Sequence, residues 1–73
     1  MRSISSQQSI YELVTSYPEI GGLMAELGFK DILKPGMLQT MGKLMTIEKG
    51  ARMKSIPIET IKETFRKNDF NLR

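Results

Sequence analysis

The chain has 73 residues and a formal charge of +3, from 11 Lys and Arg against 8 Asp and Glu, and it contains no Cys, no His and no Trp. Those absences exclude a disulfide framework, a thiolate nucleophile, a Cys-based zinc or iron–sulfur site, and the imidazole that serves as the usual metal ligand and proton shuttle. At a mass of 8.3 kDa, area scaling leaves roughly 4,600 Å² exposed and buries only about 60% of the unfolded surface, so one small domain held by packing is the ceiling.

Leu, Ile, Val and Phe make up 19 of the 73 residues, above the level of roughly 20% below which a charged chain fails to collapse. Residues 1–8 open with a polar run from Ser3 and read as a flexible leader; residues 9–73 read as a single helical domain. No apolar stretch has the length of a signal-peptide core or a membrane span, which predicts a soluble, cytoplasmic protein. Ser9, followed by Glu12, is a capping box for a helix over 10–16, with Ile10, Leu13, Val14 and Tyr17 on one face. Pro18 ends that helix and starts the next, whose stripe is Ile20, Leu23, Met24 and Leu27 and whose stop is Gly28. Phe29, Ile32 and Leu33 form a short apolar link, one turn of helix at most.

After the Lys34-Pro35-Gly36 turn, the spacing of Met37, Leu38, Met41, Leu44 and Met45 predicts a third helix. Thr46 is the N-cap of a fourth over 47–54, weakened by Gly50. Ser55-Ile56-Pro57 breaks the chain, and Ile58, Ile61 and Phe65 are the buried face of a last helix over 58–67. The tail 68–72 follows, with Phe70 folded onto the core. A single Val and the lack of sustained alternation leave strands without support. The predicted fold class is all-α, a compact orthogonal array of four to five short helices.

These residues carry a resemblance. Ile10-Tyr11-Glu12-Leu13-Val14, Tyr17-Pro18-Glu19, Leu23 through Phe29, Lys34-Pro35-Gly36-Met37 and the Ile58 to Phe70 helix resemble the small α-helical family known as domain of unknown function 1858. The resemblance spans residues 9–72, and its most specific part is the Tyr-Pro-Glu turn followed by Gly28-Phe29. It implies a compact multihelical bacterial domain, found alone or beside hemerythrin-like and sensory domains. Many members of the family have a Cys-x-x-Cys pair after the Gly-Phe, in a branch described as a redox disulfide domain associated with hybrid-cluster proteins. Here Lys30 to Met37 contain no sulfur nucleophile, so this chain looks like the cysteine-free branch and inherits no redox chemistry.

The charge is unevenly spread. Arg2 and Lys30 face Glu12, Glu19, Glu26 and Asp31 in residues 1–33, while residues 34–73 hold nine basic and four acidic residues. The basic cluster Lys43, Lys49, Arg52 and Lys54 has no aromatic among it, which argues against base stacking and leaves weak nucleic-acid contact as the remotest alternative. No cofactor or metal is expected. Catalysis is not expected either, because Glu59 and Glu63 stand among Lys62, Arg66 and Lys67 as a solvated, salt-bridged face. Met37, Met41 and Met45 recur every four residues; the plain reading is core, and the functional one is an adaptable contact surface. With the neighbouring basic residues they form the candidate partner-binding surface, for a protein partner or a second copy in a homodimer. Lys34, Gly36 and Met37 form a candidate anion-binding turn, if a helix begins there. The expected function is a non-catalytic accessory module acting by protein contact or self-association. The alternative is a degenerate redox or ligand-sensing domain working with a hemerythrin-like or sensory partner.

Overall fold

The computed structural model describes residues 1–73, in the order β1 (Arg2–Ile4), α1 (Ile10–Ser16), α2 (Glu19–Glu26), a 3-10 turn (Lys30–Leu33), α3 (Met41–Leu44), α4 (Ile47–Lys54), α5 (Ile58–Lys67) and β2 (Phe70–Leu72). Its radius of gyration is 10.9 Å, against about 11 Å for a compact chain of this length. It exposes 4508 Å², close to the area that mass alone predicts.

Two of the helices, α1 and α4, start where a side chain supplies an acceptor for free N–H groups. Ser9 Oγ accepts from the Glu12 N–H at 3.1 Å, and Thr46 Oγ1 accepts from the Lys49 N–H at 3.1 Å. The two caps also meet in an antiparallel bridge, in which the Ile10 N–H donates to the Met45 carbonyl at 2.8 Å. That bridge fastens the start of α1 to the start of α4. Gly28, at φ +106°, turns the chain out of α2, and the Phe29 N–H closes back on the Met24 carbonyl at 2.9 Å.

Thirteen buried apolar residues form one core, drawn from every element except α3. The interior face of α5 is Ile61 and Phe65, with Ile58 half-buried at its start. No helix is long and apolar enough to cross a membrane.

Two expectations are corrected. The fold is mostly helical but not purely so: β1 and β2 pair in parallel, with Arg2 opposite Phe70, Ser3 opposite Asn71 and Ile4 opposite Leu72. Residues 2–4 are therefore not a loose leader. Ile4, Phe70 and Leu72 point into the core while Ser3 and Asn71 face water, the period-two pattern of a half-buried strand compressed into three residues each. Second, the methionine stripe does not lie on one helix. Residues 35–40 run through successive turns, and α3 has only four residues. The Thr40 hydroxyl donates to the Gly36 and Met37 carbonyls at 3.0 and 3.3 Å, and the backbone bonds here are the three-residue closures of turns, from the Met37 N–H to Lys34 and from the Thr40 N–H to Met37.

Candidate functional site

A cleft of about 470 Å³ opens between the end of α2, the turns after it, and α4. Its floor is apolar: Ile10 and Met24 are fully buried there, and Ile32 comes from the 3-10 turn. Met37, Met41, Met45 and Met53 form much of the wall. Met41 and Met53 remain 41% and 72% exposed.

Each wall is placed by a local feature. The Gly28 turn throws Phe29 across α4, where Gly50 makes room for it: a Cβ at position 50 would stand 2.8 Å from Phe29 Cε1. Lys54, one turn further along α4, holds its ammonium 5.9 Å from the Phe29 ring centroid. Gly36, at φ +81°, bends the chain toward Met37. Met45 is held by its carbonyl's bond to Ile10.

Lys30, Asp31 and Lys54 supply the charged part of the lining. The Asp31 carboxylate is engaged by Lys34 at 3.1 Å, in a pair exposed on both sides. The cleft thus offers thioethers, one aromatic ring and ammonium groups, and its one carboxylate already has a partner.

The residues singled out in the sequence divide cleanly. Met37, Met41 and Met45 do line one surface, although turns and not a helix bring them there. Of the basic cluster only Lys54 joins them. Lys43 stands 4.9 Å from the Tyr11 ring centroid, Lys49 Nζ donates to the Leu44 carbonyl at 3.4 Å, and Arg52 pairs with Glu48 at 3.4 Å.

No helix begins at the Lys34-Pro35-Gly36 turn, the condition on which the anion-binding reading of Lys34, Gly36 and Met37 depends. The Met37 N–H already donates to the Lys34 carbonyl at 3.0 Å, the Lys34 ammonium is committed to Asp31, and the next helix begins only at Met41.

Phe29, Lys30, Gly50 and Met53 belong to the cleft and were not read as such. Their signal was present: Gly50 is a helix-interior glycine whose cost in helix propensity is offset by the ring it admits, and Met53 extends the four-residue methionine spacing by two further steps.

No curated protein and no solved structure matches the chain. A family model described as Domain of unknown function (DUF1858) matches residues 4–62. That span contains every residue of the cleft, and the chain belongs to this family.

Proposed function

We propose that the protein is a non-catalytic accessory module that acts by protein contact, with the methionine-lined cleft as its contact surface. The observation that carries this reading is the gathering of Met37, Met41, Met45 and Met53 around one concave apolar surface. Single exposed apolar side chains on a small protein need no explanation; Met41 and Met53 exposed on one cleft, beside the half-buried Met37 and Met45, support its use as a docking surface. Methionine suits such a surface because its unbranched, polarisable chain reshapes to different partners at little cost.

The lining also argues against catalysis. General acid–base chemistry needs titratable groups poised against each other, and the cleft's single carboxylate, Asp31, pairs with Lys34 outside the lining and forms no ion pair with Lys30 or Lys54.

The test is selection of a displayed random 12-residue peptide library on the folded protein, followed by methyl NMR with labelled methionine. Enriched peptides should shift the methyl signals of Met37, Met41, Met45 and Met53 and leave Met1 in place. Shifts confined to other residues, or no enrichment over an unrelated helical domain, would overturn the reading.

A further inference from the structure

We infer that the cleft's occupant is an amphipathic helix of a different protein, one that carries Asp or Glu beside its apolar anchors. This rests on the cleft being a protein-contact surface, and it adds the chemistry of the partner. The molecule has four ion pairs: Arg2–Glu19, Lys34–Asp31, Arg52–Glu48 and Arg66–Glu63. Lys30 and Lys54, both exposed on the lining of the cleft, belong to none of them. Asp31 has Lys34 beside it at 3.1 Å in an exposed pair, so Lys30, Lys34 and Lys54 against one carboxylate leave the lip net positive around an apolar floor. A purely apolar occupant would leave Lys30 with no partner, and Lys54 with only the Phe29 ring, at the edge of a desolvated contact. Carboxylates flanking the anchors would give each a charge-assisted hydrogen bond and would steer the encounter. Anchors at i, i+3 or i+4 and i+7 on one helix face match a groove of this kind.

The charge pattern also disfavours a second copy of the chain. The outward faces of α1 and α2 hold acids, Glu12, Glu19 and Glu26, but no exposed large apolar side chain to enter the cleft. α5 likewise has none. The α-helices that expose large apolar side chains are α3 and α4, through Met41, Leu44 and Met53, and these stand among Lys43, Lys49, Arg52 and Lys54; the other two exposed ones are Met1, next to Arg2, and Leu33, next to the paired Asp31 and Lys34. A second copy would therefore bring cations, or a carboxylate already paired with Lys34, to a cationic lip.

Three synthetic 14-residue peptides test the inference, with leucine at one helix face and Glu, Gln or Lys at the flanking positions. Binding is read by fluorescence anisotropy at low and high salt, and by methionine-methyl NMR, on the wild type and on the Lys30→Glu/Lys54→Glu protein. The Glu peptide should bind the wild type about tenfold more tightly than its Gln twin, with the advantage fading in salt. On the charge-reversed protein the Lys peptide should become the preferred one. If all three bind the cleft equally and without salt dependence, the acidic partner is wrong while the contact surface stands. If none shifts the methyl signals of the cleft, both readings fall. Light scattering that shows a dimer at tens of micromolar, dissolved by Met41→Asp, would replace the foreign helix with a second copy.

Discussion

Around the paired termini Phe65 and Phe70 are wholly buried, whereas around the cleft Met41 and Met53 stay 41% and 72% exposed. The terminal region is built from directional contacts. Tyr17 and Phe70 meet edge to face with ring centroids 5.2 Å apart, and the Arg2 guanidinium lies 3.9 Å from the Phe70 centroid. Arg2 also donates to Glu19 Oε2 at 2.8 Å and to the Asn68 carbonyl at 3.1 Å. The cleft has turns, flexible thioethers and lysines outside any ion pair. A domain this small keeps its geometrically demanding contacts in one region, and the other is left free to reshape.

The largest expected contrast comes from truncating one side chain in each region. Phe70→Ala should lose about 3–5 kcal/mol, close to the whole stability expected of a chain this short. Met53→Ala should change stability by less than about 0.5 kcal/mol. Urea denaturation of both variants checks the pair, and equal losses would erase the distinction between the two regions.

Gly50→Ala has a smaller and more informative effect. Alanine gains about 1 kcal/mol of helix propensity in α4, while its Cβ must displace the Phe29 ring from 2.8 Å. The two should nearly cancel, leaving stability within about 0.5 kcal/mol of wild type, while peptide affinity for the cleft drops as Phe29 moves. A loss well above that range in a thermal melt would mean that Phe29 is packed as firmly as the terminal aromatics.

The smallest effect is a pH dependence in the terminal region. The hydrogen bond from Arg2, then the backbone N–H of Glu19 itself, hold the Glu19 carboxyl below its ordinary value. A carboxyl depressed in the folded state stabilises it fully above the ordinary carboxylate range, and the contribution is lost as pH falls through the lowered value. The melting-temperature gap between wild type and Glu19→Gln should therefore shrink on acidification. That of Met53→Ala should stay constant.

Legibility in the sequence followed the range of the interactions. α1, α4 and α5 were readable to their bounds because Ser9, Thr46 and Pro57 act within three residues of the helix they start. The strands were not readable, since each is three residues long and Arg2 pairs with Phe70 at the far end of the chain, beyond the reach of any periodicity. The methionine spacing was correct as a statement about one surface and wrong as a statement about a helix. A turn series with bonds from Met37 to Lys34 and from Thr40 to Met37 returns side chains to one side with nearly the helical repeat. The cleft itself needed Phe29 and Gly50 to be seen together, and 21 positions separate them in the chain.

The parallel pairing of β1 and β2 has a mechanical consequence. The start of β1 and the end of β2 lie at opposite ends of the ladder, so tension applied to the two strands slides them past each other. The bonds from Arg2 to Asp69, from Arg73 to Ile4 and from Ser6 to Arg73 then bear load together instead of opening one after another. Pulled in this way, the short sheet acts as a shear clamp, and the first event of forced unfolding must break it whole.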